Sequence, residues 1–408
     1  MTKIKFILAA LVLSGIVAFF LTNQNPQQRT PEESSHAMSG KHAEPSGVTS
    51  LDVKYVDGTL HLLLGKEENG QQEIWYQSST DQGVTWSEEV NVTLNSDEAA
   101  KFKRGNDARL AVQGDNIVAV WMTKVEGVRF GAGPMMAMRS DDRGQSWQVA
   151  TMPADWEGAH GFFAIDGNDK TINLVWLDSR EQKVKGSQGL RFSQTRDGGL
   201  SWSTNLTLDD ITCACCWNTV KFDDDGLFYV LYRDKKPSDM AIGRVDPELN
   251  WQRLSSVGEF NWEFEGCPHI GAGLAIDSKT HQFHATVSTG QPDSVGLYYL
   301  NSDDKGQRWS SPIKLGDNGA LHSDITVASE GTLIAAWDQL SENGLQIFYA
   351  KSDDDGQIWT QPVSLSNVAL SASHPRVVAT KDKTLIFWTE TDLHNNSHMK
   401  IMDLPLHD

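Results

Sequence analysis

The stretch Ser79-x-Asp81-x-Gly83-x-Thr85-Trp86 decides the fold, because its pattern returns along the chain. It recurs as Ser140-x-Asp142-x-Gly144-x-Ser146-Trp147 and as Thr195-x-Asp197-x-Gly199-x-Ser201-Trp202. Two later copies lose the second hydroxyl: Ser302-x-Asp304-x-Gly306-x-Arg308-Trp309 and Ser352-x-Asp354-x-Gly356-x-Ile358-Trp359. A worn copy runs from Asp246 to Trp251. The tryptophans at 86, 147, 202, 251, 309 and 359 set a period of roughly 50 to 60 residues, within the range of repeat architectures. Each copy reads as a tight turn. Asp accepts hydrogen bonds from turn backbone N–H groups, Gly takes a positive φ that a side chain would penalise, and Trp packs between sheets. The turn is a staple, neither a calcium site nor a catalytic one.

Short runs rich in β-branched and aromatic residues precede the boxes. They include Thr59-Leu-His-Leu-Leu-Leu64, Ile117-Val-Ala-Val-Trp121, Ile172-Asn-Leu-Val-Trp176, Leu333-Ile-Ala-Ala-Trp337 and Leu385-Ile-Phe-Trp388. Bounded by Gly, Asp and Asn, they read as strands. Each unit becomes a four-stranded antiparallel sheet with the box between its third and fourth strands. The fold class is all-β, and the architecture is a β-propeller of four-stranded blades. Seven blades are favoured and six are the alternative. The last unit, from about His374 to Leu404, has three strands and no box, and an N-terminal strand is expected to complete it.

The boxes resemble the BNR/Asp-box repeats of sialidase-like propellers, over roughly residues 50 to 404. The resemblance implies a sialidase-like fold with its functional face at the top, where the inner strands begin. It does not imply one function, because the repeat serves glycosidases, binding proteins and assembly factors alike.

The chain begins Met1-Thr-Lys-Ile-Lys5, followed by an apolar run from Phe6 to Leu21. Residues 1–22 read as a signal anchor or signal peptide, with the anchor favoured, and residues 23–47 as a disordered tether. The propeller is assigned to residues 48–408. The expected location is extracytoplasmic, on the periplasmic or cell-surface side, with the chain tethered to the membrane or secreted. A net charge of −19 repels phosphate backbones, which argues against nucleic acid as a partner. A closed propeller has no need to oligomerise for stability, so a monomer is expected.

Aligning the residues that open each inner strand places His322 (Leu-His-Ser-Asp), His374 (Ser-His-Pro-Arg) and Cys216 (Cys-Ala-Cys-Cys-Trp) at one position, with His160 within one residue. Asn106 and Asp107 hold the place in the second unit, and Gly266-Cys267-Pro268-His269 opens the fifth. All four cysteines, Cys213, Cys215, Cys216 and Cys267, lie at two neighbouring blade openings. Thiolate and imidazole bind copper, zinc and iron. Cys213, Cys215, Cys216, Cys267, His269, His322, His374 and His160 are therefore the candidate metal ligands. Closely spaced thiols favour copper as Cu(I), with zinc as the alternative. The competing reading is disulfides, as expected of an exported chain, with Cys213 or Cys215 bridged to Cys267. One bridge beside a His-rich metal site is also open.

A sialidase needs three arginines to grip a carboxylate, a Tyr–Glu nucleophile pair and an Asp acid/base. Arg109, Arg376, Arg180 and Arg233 are top-face candidates, but no Phe/Tyr-Arg-Ile-Pro motif is present, and Tyr349 lies inside a strand. The bland reading of these arginines is ion pairing with acids such as Asp178 and Asp234. Three functions follow from the residues. One is a metal-binding or redox propeller, in which Trp217 walls the site. In this reading Arg109, Arg233, Arg376 and Tyr232 bind a small anion, glycan or protein partner beside it. The second is an exo-sialidase or other glycoside hydrolase. The third is a non-catalytic binding or scaffold propeller with structural disulfides.

Overall fold

A computed structural model of the chain describes residues 46–405, apart from 129–130, 329, 343 and 368–369. The N-terminal apolar run and most of the tether fall outside the described residues. The first strand, Ser46–Val56, begins two residues inside the stretch assigned to the tether. Among the described residues no helix is long and apolar enough to cross a membrane.

The strands form six hydrogen-bonded sheets. Four are four-stranded meanders over residues 160–213, 219–257, 272–316 and 320–364. A five-stranded sheet covers residues 100–149, with both Ala100–Lys101 and Arg109–Gln113 pairing to Asn116–Lys124. The sixth is seven-stranded and joins residues 371–405 to residues 46–91. Its two halves meet in a parallel ladder of only two residue pairs, Ser46 with Asn396 and Gly47 with Ser397. The N-terminal strand therefore does not complete the last unit over its length. It touches that unit at its tip and otherwise pairs with Thr59–Glu68 to build a sheet of its own. The first strands of successive sheets pack side by side in chain order, and Ser371–Ala379 returns to Ser46–Val56. This is a sialidase-like, all-β propeller.

The repeated turn has the predicted physics. Asp81 Oδ1 accepts the Thr85 N–H at 2.9 Å, and Thr85 Oγ1 donates to Asp81 Oδ2 at 2.6 Å. Ser79 Oγ donates to Asp81 and accepts the Gly83 N–H at 2.8 Å. The same bonds recur at Asp142, Asp197 and, with Arg308 replacing the second hydroxyl, at Asp304. The box glycines at 83, 144, 199, 306 and 356 all have φ between 83° and 89°. Their tryptophans enter successive inter-sheet clusters, so each turn pins one sheet to its neighbour.

Two further staples repeat. His61 Nδ1 lies 2.7 Å from the Tyr76 hydroxyl, and His284 Nδ1 lies 2.8 Å from the Tyr299 hydroxyl. Each tyrosine packs on the box tryptophan of the following blade, Trp147 or Trp359. On the second strands, the indole N–H of Trp176, Trp337 and Trp388 donates to a side chain two residues on. The acceptors are Asp178 at 3.0 Å, Gln339 at 3.2 Å and Glu390 at 3.0 Å. These bonds satisfy polar groups that burial would otherwise leave orphaned.

Candidate metal and thiol site

Three inner strands carry a bulge near their start: between Gly161 and Ala164, between Ala320 and Ser323, and between Ser373 and Arg376. A bulge frees one or two residues from the ladder and re-aims them. At two of these places, and at His269, the released residue takes a left-handed conformation: φ is 56° at Phe162, 55° at His374 and 56° at His269. Such backbone is costly for a non-glycine residue and marks positions held by their surroundings.

His322 and His374 stack face to face, with ring centroids 3.8 Å apart and planes 14° from parallel. Asp338, fully buried within Leu333–Ser341, holds both. Its Oδ2 lies 2.6 Å from His322 Nδ1 and accepts the His374 backbone N–H at 2.8 Å, while its Oδ1 accepts the His322 N–H at 3.2 Å. His322, Asp338 and His374 bring their ligand atoms within 4.8 Å of one another. Both ring nitrogens of His374 are buried without a hydrogen-bond partner. Burial, followed by its His322 neighbour, holds the His374 imidazole well below its ordinary pKa. His269 is pushed down to about 3, chiefly by burial. Both are therefore neutral near pH 7, the form that ligates metals.

Gly105 ties His269 to His374. A methyl at Gly105 would lie 2.9 Å from His269 Nε2 and 3.1 Å from His374 Nε2, so both nitrogens converge on the space beside this glycine. Trp217, 4% exposed, contacts all three rings, with centroids 4.9 Å from His322, 5.5 Å from His374 and 6.2 Å from His269. The cavity at this junction is small, about 10 Å³, with Gly105, Trp217, His322 and His374 in its wall.

Cys216 precedes Trp217 in the chain. Cys215 and Cys267 form a disulfide with 6.0 Å between their Cα atoms, joining two neighbouring blade openings. This bridge takes two sulfurs out of the expected set of four thiolate ligands and matches the arrangement of one bridge beside histidines. Cys213 and Cys216 are free and buried, with their sulfurs 2.8 Å apart. The hydrogen bond from Cys216 lowers the Cys213 thiol, whereas burial raises that of Cys216. The sulfurs of Cys213, Cys215 and Cys216 lie within 4.8 Å of one another, as do the ligand atoms of Cys215, Cys267 and His269.

Other expected site residues stand elsewhere. His160 is not brought to the cluster. Its Nδ1 accepts the Met135 N–H at 3.0 Å, and its ring lies edge-on to Trp156 and Trp176. The bulge after Gly161 explains the misplacement, because the residue it releases is Phe162, whose ring meets His269 edge-on with centroids 5.7 Å apart. Arg233 is enclosed and spends its guanidinium on the carbonyls of Ser238, Ser288 and Ile270, so it is not a free anion ligand. Nor does it pair with Asp234, which binds Arg253 at 3.2 Å. The Tyr232 hydroxyl, buried, donates to Asp209 at 3.0 Å. Arg180 pairs with Asp178 at 2.8 Å. Arg109 pairs with Asp52 at 3.1 Å. Arg376 makes no hydrogen bond or ion pair with a described residue, although Asp324, Asp52 and Asp107 act on its charge. Sequence reasoning missed Asp338, Gly105 and Arg104, whose guanidinium donates to Asp107 and to the His374 carbonyl. The only sequence trace of Asp338 is its place directly after the strand tryptophan Trp337.

No protein-family profile and no curated protein matches the chain. Solved structures do match. An ulvan lyase of a polysaccharide lyase family, bound to -[GlcA(1-4)Rha3S]-, aligns with a TM-score of 0.59 at 11% identity, covering 88% of this chain and 94% of that one. The polysaccharide lyase Uly1 aligns at 0.51 with 10% identity, covering 90% and 91%. The intramolecular trans-sialidase from Ruminococcus gnavus, in complex with oseltamivir carboxylate, aligns at 0.50 with 12% identity, covering 88% and 94%. At these identities the likeness shows a shared sialidase-like propeller fold and no more.

Proposed function

We propose that the top-face cluster binds a transition metal ion, copper in preference to zinc, and that the propeller serves metal handling or redox chemistry outside the cytoplasm. The observation that carries this reading is His374. It is a buried imidazole with neither nitrogen hydrogen-bonded to a described residue, its Nδ1 3.9 Å from Asp338, beside a second inward-facing imidazole, His269. A buried polar group is ordinarily bonded, so an orphaned pair of ring nitrogens calls for a partner. His269, His322 and His374 supply imidazole, Asp338 orients two of them as outer-shell carboxylates do, and Cys213 and Cys216 offer thiolate as a separate group. Soft thiolate beside imidazole suits Cu(I), and imidazole alone suits zinc as well.

Scale separates this reading from saccharide chemistry. A space of about 10 Å³ accepts an ion or roughly one water molecule, not a sugar ring. The Cys215–Cys267 bridge agrees with an oxidising compartment, and hence with export.

The test is metal analysis of the full-length chain, purified anaerobically in detergent, alongside a thiol count. Stoichiometric copper or zinc, lost in a His269→Ala/His374→Ala variant that keeps its thermal transition, supports the proposal. A metal-free protein that fails to take up Cu(I) or Zn(II) overturns it.

A further inference from the structure

The inner strands line a second space, far larger than the cavity at the metal site, of about 340 Å³. Arg109 and Arg376 border both spaces. Seven charged side chains line this channel: Asp52, Lys54, Arg109, Asp166, Lys221, Asp324 and Arg376. Two pairs neutralise each other, Lys54 with Asp166 at 3.2 Å and Arg109 with Asp52 at 3.1 Å. Asp324 accepts the backbone N–H groups of Ile325 and Val377, each at 3.0 Å. Two cations remain. Neither Arg376 nor Lys221 makes a hydrogen bond or ion pair with any described residue.

We propose that this channel is a binding site for a small oxyanion, a phosphate, sulfate or carboxylate group held between Arg376 and Lys221. Withdrawing a cation from bulk water without a hydrogen-bond partner is costly, and the channel does so twice, on Thr219–Phe222 and on Ser371–Ala379. Burial, followed by the charge of Lys54, lowers the Lys221 pKa, a sign that its ammonium is under-compensated. The lining holds four cations against three carboxylates, although the chain as a whole carries −19. The two side chains divide the recognition. A planar guanidinium grips two oxygens at once, and an ammonium adds a compact point charge. The volume lies at the lower end of small-molecule pockets, so the group sits on a small solute and not on a polymer.

The experiment is calorimetric titration of the full-length chain, in detergent and Tris chloride buffer, with inorganic phosphate, sulfate and acetate in separate runs. The expected result is saturable binding of at least one probe, weakened roughly tenfold or more in Arg376→Gln and in Lys221→Met. Preference for phosphate or sulfate identifies a tetrahedral anion, and preference for acetate a carboxylate. Thermal unfolding gives a second readout. Without oxyanion, Lys221→Met should unfold at or above the wild-type temperature, and the bound anion should raise the wild-type midpoint but not the variant's. No saturable binding of any probe, or unchanged affinity in both variants, overturns the proposal. His374→Ala should lose metal and retain the anion, so failure here and failure of the metal reading are told apart.

Discussion

His322 and His374, from inner strands of neighbouring units, lie ring on ring with centroids 3.8 Å apart, and one carboxylate, Asp338, serves both. Two stacked imidazoles at that distance repel if both are charged. Asp338 fixes the His322 ring through Nδ1 and leaves its Nε2 near the His269 carbonyl at 3.3 Å. Asp338→Asn keeps the shape but removes the charge that orients the pair. Metal affinity should fall about 10- to 100-fold, the usual loss for an outer-shell partner. Chelator competition against the wild-type chain measures it, and an unchanged affinity sinks the assigned role.

Gly105 should matter more than its size suggests. With φ at 88° and both imidazole nitrogens about 3 Å from any added methyl, Gly105→Ala fills the space where His269 and His374 converge. It should abolish metal uptake at a stability cost of about 1–3 kcal/mol. Gly58→Ala is the control, since its φ is 79° and nothing lies within 4 Å. Metal content and thermal midpoints of the two variants separate the crowding of the site from the backbone penalty.

The Cys215–Cys267 bridge closes a loop of 52 residues across two blades. Loop-closure entropy puts its stabilisation at about 4 kcal/mol as an upper figure. A Cys215→Ser/Cys267→Ser variant should unfold at a lower temperature than the wild type under non-reducing conditions and match it under strong reductant. Equal midpoints in both conditions would show that the bridge does not form.

Stability should fall as the solution is acidified through the histidine range. Burial lowers His61, His160 and His284 to about 4 and His269 to about 3. Between pH 6.5 and those values the unfolded chain takes up protons that the folded chain refuses. Stability is therefore full above pH 6.5 and drains away as pH falls, by about 1.4 kcal/mol per histidine per pH unit. Thermal midpoints from pH 7 to 4 trace the loss. His160→Phe should flatten the curve by one histidine's share, and a flat wild-type curve would contradict the assignment.

The repeated turn can be tested across blades. A methyl at Gly144 would come within 2.1 Å of Tyr76, and one at Gly356 within 2.1 Å of Tyr299. Both glycines have positive φ, so either Gly→Ala change should cost about 2 kcal/mol or more, measured by chemical denaturation. A cost near zero at either site would mean the tyrosine staple yields.

What the sequence disclosed follows the range of the physics involved. The boxes were readable because Asp, Gly and Trp act within eight residues and repeat. The convergence of His322, His374, His269 and the cysteines was readable because strand openings align across units. His160 failed because it stays in the ladder opposite Asp178 while the bulge falls after Gly161, and no local pattern signals a bulge. Arg233 and Tyr232 failed because proximity in sequence to a strand end does not reveal that a carbonyl cage or Asp209 has already taken the polar group. Asp338 escaped because its partners lie 16 and 36 residues away.

Among the described residues, the ladder joining Ser46 and Gly47 to Asn396 and Ser397 is where the two ends of the ring are sewn together by backbone, and it is two stitches long. Every other sheet is continuous in sequence and can form as the chain emerges. Closure must wait for the last strand and then rests on that short seam and the side-chain packing behind it. Pulled or heated, the ring has a preferred tear line, and it runs beside the terminus from which the chain is expected to hang.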